Sequence, residues 1–330
     1  MKLLSSLSTF ALYTLFDLVS ATNSTQTCTS IEVRKEWRNL TATERKAWID
    51  AVNIAPVTEN STYYDDLVYA HMDLNPIIHF TGLFFPWHRL YVHEWTNALR
   101  SECGYKGVAP YWAWEKDAAD FENSAMWDTD PESGLGGFGN PDDDYTLKTG
   151  GLDLHLAYPM QYRPYPGFGG AANVSANSTF SQEEVDALLS QPEGNFTAFQ
   201  EYMEKIVGMH SAVHGILGGD LAGLCPKGSS NTSVCPTEGA PTFSANEPMF
   251  HMHHGNVDRL WWLWQEKSQV NKAAFHGGSV QNMSALTTYP NGQTPWLNKT
   301  SLIPTAGMYE SYSIEQVMDT RSWPLCYVYE

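Results

Sequence analysis

Apolar residues recur at helical spacing in five stretches of this chain, and those stretches set the first expectation of its fold. The first opens with Thr41-x-x-Glu44, in which threonine and glutamate can cap each other's backbone N–H groups, and it runs amphipathically to about Asn53. Tyr63 to Met72 form a second candidate helix, and a third extends from about Phe84 to Glu102, stopping before Gly104. A fourth is expected over Phe196 to Leu217, ended by Gly218 and Gly219. The fifth covers Pro248 to Lys267, with proline near its first turn and Trp261, Trp262 and Trp264 in its body.

Between the third and fourth stretches the pattern changes. Trp114 to Ser190 is rich in glycine, proline and aspartate, and residues 128–132 and 141–144 have the composition of exposed turns. Trp127, Phe138, Tyr158, Tyr162, Tyr165 and Phe168 argue that these loops pack on a core rather than form a disordered linker. No internal repeat or domain boundary stands out. The expectation is one mainly α domain over residues 22–330, with long decorated loops.

Composition narrows the setting. A formal net charge of −18 argues against nucleic acid or an anionic membrane as partner. Lys2, the apolar stretch Leu3 to Phe16 and the small-residue site Val19-Ser20-Ala21 read as an export signal over residues 1–21; a buried N-terminal helix is the rival, favoured by Asp17. That stretch is too short to span a bilayer, and no later one reaches about 20 apolar residues. Nine Asn-x-Ser/Thr sequons, at Asn23, Asn39, Asn60, Asn173, Asn177, Asn195, Asn231, Asn282 and Asn298, fit a glycosylated secreted protein. In an oxidising route five cysteines favour two disulfides and one leftover thiol; Cys28–Cys326 would tie the termini, and Cys225–Cys235 would close a short loop.

The histidines carry the chemistry. Most of the 11 fall in three groups: His71, His79, His88 and His93; His210 and His214; and His251, His253 and His254. His210 and His214 stand four apart on a helix, so both rings project from one face and can share an ion. His254 on the next long helix can add a third nitrogen, as helix bundles commonly build metal sites. The residues between His210 and His214 are Ser-Ala-Val, which removes the zinc-protease pattern and its general base.

At this point the sequence resembles the tyrosinase, catechol oxidase and haemocyanin family. One copper signature is matched from His79 through Pro86-Trp87-His88-Arg89 to Tyr91, the other from Glu247 through His253-His254 to Asp258-Arg259, and the likeness runs from about Val33 to Tyr329. The resemblance implies a four-helix bundle around a dinuclear copper site with long irregular loops. His71, His79 and His88 would bind one copper, and His210, His214 and His254 the other. Arg89 and Asp258 would be framework charges orienting the ligand helices. Arg34 with Tyr327 and Tyr329 would close the domain. His93 reads as helix surface, His251 as packed beside the ligands or merely buried, and His155 and His276 as ordinary loop residues. Dioxygen, bound as a bridging peroxide between metals roughly 3.5–4 Å apart, would then oxidise small phenolic substrates: o-diphenols to o-quinones, with hydroxylation of monophenols as a second activity. An oxygen carrier, a zinc-loaded site and an enzyme of one biosynthetic intermediate are the alternatives.

Some positions depart from the family pattern. Ser211 follows His210 where efficient monophenol hydroxylases often carry asparagine, which helps a nearby glutamate hold a proton-accepting water. Glu201 and Glu204 are the candidates for that glutamate, against the plainer reading of exposed helical charges, and Glu201 with Ser211 forms the expected catalytic pair. Ser211 tilts the expectation towards catechol oxidation. Thr96 and Glu247 also depart but touch no ligand. Ile77 stands where some members carry a thioether-forming cysteine, so His79 is expected to be unmodified. The loop from Leu221 to Ala245 is expected to border the mouth of the site. The chain stops just after Tyr329, which leaves no room for a C-terminal lid and predicts activity without proteolysis.

Overall fold

The computed structural model describes residues 26–54, 63–139, 146–154, 175–218, 221 and 241–330. Its helices are α1 (Ala42–Ile54), α2 (Tyr63–Ile78), α3 (Phe84–Glu102), α4 (Ala176–Thr179), α5 (Gln182–Leu189), α6 (Phe196–Met203), α7 (Met209–Leu217), α8 (Met249–Glu266) and α9 (Gln269–Ala273). Short strands accompany them: β1 (Glu32–Glu36), β2 (Pro110–Tyr111), β3 (Gly278–Val280), β4 (Gln293–Trp296) and β5 (Tyr327–Tyr329). The fold is mainly α with long irregular connections, and no described helix is long and apolar enough to cross a membrane.

Local chemistry explains where the elements begin and end. The expected cap of α1 forms, with Glu44 N donating to Thr41 Oγ1 at 3.2 Å and Thr41 N donating to Glu44 Oε2 at 2.8 Å. Helix α3 stops at Cys103, and Gly104 supplies the left-handed turn at φ +72° that follows. Every residue from Phe84 to His93 on α3 and from Met249 to Asp258 on α8 is buried, and the two helices pack on each other at the centre. Helix α2 lies against α3 and covers the 3-10 turn Pro241–Asn246.

Two helices differ from the expectation. Helix α2 does not stop at Met72 but continues to Ile78, with Pro76 inside its last turn. At that place proline removes a single i to i−4 bond, and the turn still closes when His79 N donates to Asn75 O at 3.2 Å. The stretch expected as one helix from Phe196 to Leu217 is broken into α6 and α7, with Gly208 extended at φ −125°, ψ 178° before the second. Ile206, Val207 and Gly208 are poor helix formers in succession, and a Cβ on Gly208 would meet Lys205 Cβ at 2.7 Å.

Strand β1 is the middle of a three-stranded sheet, parallel to both neighbours, pairing Lys35 with Pro110 and Arg34 with Tyr329. Beside it Cys28 is joined to Cys326 with a Cα separation of 5.5 Å, the expected pairing, and Cys103 is a free thiol. Cys225 and Cys235 lie outside the described residues. The decorated loops do pack on the core where they are described: Trp127 meets Phe121 at 5.5 Å and Phe138 at 5.5 Å. Tyr158, Tyr162, Tyr165 and Phe168 lie outside the described residues.

A buried charge knot fixes the two central helices against the sheet. Asp258 on α8 accepts from Arg89 Nε on α3 at 2.5 Å, and from the Tyr327 and Tyr329 hydroxyls at 2.5 Å each. Arg34 on β1 lies 3.6 Å from the same carboxylate, with its guanidinium 3.3 Å above the Tyr327 ring. Arg89 also donates to the carbonyls of Val317 and Met318 and to Gln265 Oε1. A buried carboxylate with this many donors is satisfied, and the rotation of α3 and α8 about their axes is set by it. Against expectation, His93 is buried rather than on the helix surface, because β5 closes over that side of α3. Its ring stacks on Tyr327 at 6.1 Å and its Nε2 meets Asn97 Nδ2 at 3.0 Å. Burial lowers its pKa to about 3.

Candidate metal centre

Two groups of buried histidines face each other inside the helix pack. His71 on α2, His79 just after it and His88 on α3 form the first, with ring centroids 4.9–5.7 Å apart. His210 and His214 on α7 form the second with His253 and His254 on α8. Between the groups, His88 stacks on His254 at 4.2 Å and 9°, and His79 lies 5.9 Å from His210.

The frame around the rings sets their orientation. Phe84 O accepts from His88 Nδ1 at 2.8 Å, which fixes the tautomer and leaves His88 Nε2, buried and without a partner, turned inward. His79 Nδ1 sits 3.1 Å from Asn75 Nδ2 and 3.3 Å from Asn75 O, so the extra turn of α2 supplies its support. His210 and His214 direct their Nε2 atoms at each other at 3.2 Å. Phe84 packs on His210 at 4.9 Å and Phe250 on His254 at 4.3 Å, giving the site an apolar wall.

Burial dictates the charge state. Loss of water is the first cause that lowers the pKa of His79, His88, His210, His253 and His254 well below the usual histidine value, and the neighbouring imidazoles lower it further. His214 falls to about 3 for the same first reason. All are neutral at pH 7, the form that binds a metal. Clustered buried ring nitrogens, the neutral rings just named and, among the described residues, no carboxylate in either group fit two soft-to-intermediate ions such as copper or zinc.

The remaining candidates fall elsewhere. His251 packs face to face on Trp95 at 3.8 Å, and His276 lies in a loop beside Trp296 at 4.9 Å. His155 is outside the described residues. Glu201 is exposed on α6, at the edge of a cavity of about 210 Å³ lined by Phe80, Glu204, Ile206, Leu286 and Pro290. Ser211 donates its hydroxyl to Lys205 O at 3.2 Å. Glu204, by contrast, is fully buried, and burial raises its pKa well above the carboxylate range. It accepts from Phe80 N at 2.6 Å and Gln200 Nε2 at 2.8 Å, while Gln200 also donates to Thr81 O. The carboxyl therefore pins the turn that carries His79. Residues 155–174 and 222–240, which include most of the loop expected at the mouth, are outside the described residues.

Sequence reasoning named two of these residues but gave them other parts. Glu204 was legible only as one of two carboxylates on a helix, and the break after Met203 is what turns it inward. His253 joins the second group although the family pattern assigns the ligand role to its neighbour; the doubled histidine was the available signal.

Residues 61–267 match the common central domain of tyrosinase. Among curated proteins, the tyrosinase-like protein phomQ1' of Diaporthe leptostromiformis is 32% identical over 94% of this chain and 83% of its own length. The N-acetyl-6-hydroxytryptophan oxidase ivoB of Emericella nidulans is 29% identical over 90% of this chain and 92% of its own. Among solved structures, a polyphenol oxidase variant from Thermothelomyces thermophila superposes with a TM-score of 0.68 at 24% identity, covering 91% of this chain and 89% of that one, which supports the fold.

Proposed function

Because the chain belongs to the tyrosinase family, a family of type-3 copper oxidases, we propose that it oxidises o-diphenols to o-quinones at the expense of dioxygen. The observation that carries the proposal is the pair of buried histidine groups whose rings meet face to face at His88 and His254. We assign His71, His79 and His88 to one copper and His210, His214 and His254 to the other. Copper bound there would supply the exchange of electrons with dioxygen.

The protein's own part is to hold neutral nitrogens inward and keep water out. Asn75 and the Phe84 carbonyl fix the rings of His79 and His88. Phe84 and Phe250 wall the site, so that charge near the metals is felt in a low dielectric. A catechol loses two electrons and two protons on becoming an o-quinone, and four electrons with four protons reduce one dioxygen to two waters. Glu201, at the cavity edge, and Ser211, one residue past His210, are proposed as the groups that handle the proton of an incoming phenol. We propose export for the same chain, with residues 1–21 as the signal and the sequons glycosylated; the Cys28–Cys326 disulfide supports an oxidising route.

Oxygen uptake by the copper-loaded chain tests the reading, first with a simple catechol and then with its matching monophenol. Uptake with catechol that is lost in His214→Ala is the expected result. Two coppers bound without uptake from either would overturn it. A second reading, an oxidase acting on one biosynthetic intermediate, is favoured by relatives named for such a substrate, among them the N-acetyl-6-hydroxytryptophan oxidase. Turnover of a hydroxyindole together with rejection of simple catechols would select it.

A further inference from the structure

Three aromatic residues of α3 form a row that leads away from the histidine groups. Trp87, Tyr91 and Trp95 stand four apart, so they share one face of the helix and run towards its C-terminus. Trp87 meets the His88 ring at 4.9 Å and the His71 ring at 5.9 Å, and it stacks on Tyr91 at 4.5 Å and 17°. His251 bridges the next interval, lying 5.7 Å from Tyr91 and 3.8 Å from Trp95 and nearly parallel to both. Trp95 then lines a small cavity of about 30 Å³ together with Tyr63, Tyr64, Glu102 and the free thiol Cys103. Trp87, Tyr91, Trp95 and His251 are buried, whereas Tyr63 and Cys103 are only half-buried.

An indole or a phenol gives up an electron far more readily than the ring of phenylalanine, so Phe84 and Phe250, which wall the site, offer no such step. Along the row, Trp87 Nε1 donates to Pro304 O at 2.8 Å and the Tyr91 hydroxyl to Leu67 O at 2.8 Å. A backbone carbonyl is no base, so oxidation does not settle at either residue by loss of a proton. Tyr63 and Cys103, reached by solvent, can release theirs to water. We propose that the row is an escape path for oxidising equivalents: when the copper centre is oxidised and no phenol is present, electrons pass to it from Tyr63 and Cys103 through Trp95, His251, Tyr91 and Trp87. The proposal rests on the reading that the histidine groups hold redox-active copper. With hydrogen peroxide as the oxidant, Tyr63 and Cys103 each lose one electron and one proton, and two electrons with two protons convert one peroxide to two waters. Damage is thereby carried from the ligand imidazoles to two side chains that a small thiol in solution can restore, each regaining one electron and one proton.

Treating the copper-loaded chain with hydrogen peroxide in the absence of phenols tests this, read by electron paramagnetic resonance of the frozen sample and by peptide mass spectrometry. The zinc-loaded chain, treated alike, controls for direct attack of peroxide on the thiol. The expected result is a tyrosyl radical signal that Tyr63→Phe removes, with copper-dependent oxidation mapped to Tyr63 and Cys103. In Trp95→Phe, which keeps an aromatic ring but not the indole, both fall to the level of the zinc control. Oxygen is then added instead at Trp87 and the ligand histidines, while near-ultraviolet circular dichroism and oxygen uptake with catechol stay unchanged. Tyr91→Phe, which loses only the phenolic oxygen, must move the damage in the same direction. Oxidation at Tyr63 and Cys103 that persists in either variant, or that is confined to the ligand histidines in the unaltered chain, would overturn the proposal alone. A chain that takes up no copper, or whose copper form behaves throughout as the zinc form does, would overturn it together with the reading on which it rests.

Discussion

Replacing Asp258 by asparagine keeps the size of the side chain and removes its charge, which isolates what the charge knot contributes. Asp258 Oδ1 takes the Arg89 bond, and Oδ2 takes both tyrosine hydroxyls. Asparagine can present its oxygen to Arg89 and its NH₂ to Tyr327 and Tyr329, whose hydroxyls can turn to accept. The hydrogen bonds are therefore largely recoverable. The charge is not: Arg89 is 0% exposed and keeps only neutral acceptors, while Arg34 retains Glu32 at 3.8 Å. Leaving one buried charge without its counterion costs about 3–5 kcal/mol. An unfolding entropy of roughly 2.1 cal/mol/K per residue over about 300 residues converts this to a fall in Tm of about 5–8 °C. Thermal unfolding of Asp258→Asn, Arg89→Gln and the double variant measures it, and the double variant should lose clearly less than the sum of the two. Because Arg89 follows His88 directly and Asp258 lies one turn past His254, Asp258→Asn should also release copper faster to a chelator. A fall below about 2 °C, or strictly additive losses, would refute the argument that the pair is one electrostatic unit.

Acid should destabilise the metal-free chain steeply. His79, His88, His93, His210, His214, His251, His253 and His254 all have folded pKa values below the unfolded value near 6.5, so below that pH the unfolded chain binds more protons. Their contribution is complete above about pH 6.5 and is lost as pH falls towards the folded values, which are about 3 for His93 and His214; each group costs about 1.4 kcal/mol per pH unit. Urea midpoints flat between pH 7 and 8 but falling sharply from 6.5 to 5 are expected, and a flat profile to pH 5 would contradict the assigned burial. Glu204→Ala should cost about 1–3 kcal/mol by leaving Phe80 N without its acceptor, and should weaken metal held by His79; Glu204→Gln should keep most of both. Calorimetry and chelator competition on the two variants separate these effects. Ser211→Asn should raise the rate on a monophenol relative to its catechol, and an unchanged ratio would remove Ser211 from the account of specificity.

Much of this protein is written locally in its chain. The caps at Thr41 and Gly104, the two long central helices and the i, i+4 pair His210 and His214 follow from short-range periodicity and backbone chemistry, and the structure has them where those rules put them. The family signatures around His88 and His254 also picked out Arg89 and Asp258 before any contact was known. Contacts between distant segments decided the rest. A helical wheel puts His93 on the outside, and only β5, more than two hundred residues later, covers it. The break between α6 and α7 has a local cause in Ile206, Val207 and Gly208, but what it brings together, Glu204 with Phe80 N and Gln200 with Thr81 O, is decided by packing. Whether His253 or His254 faces the second site is a question of how α8 is rotated, and the knot at Asp258 sets that rotation so that both rings reach it. Periodicity fixes which face a residue shares; only packing between elements fixes what that face meets.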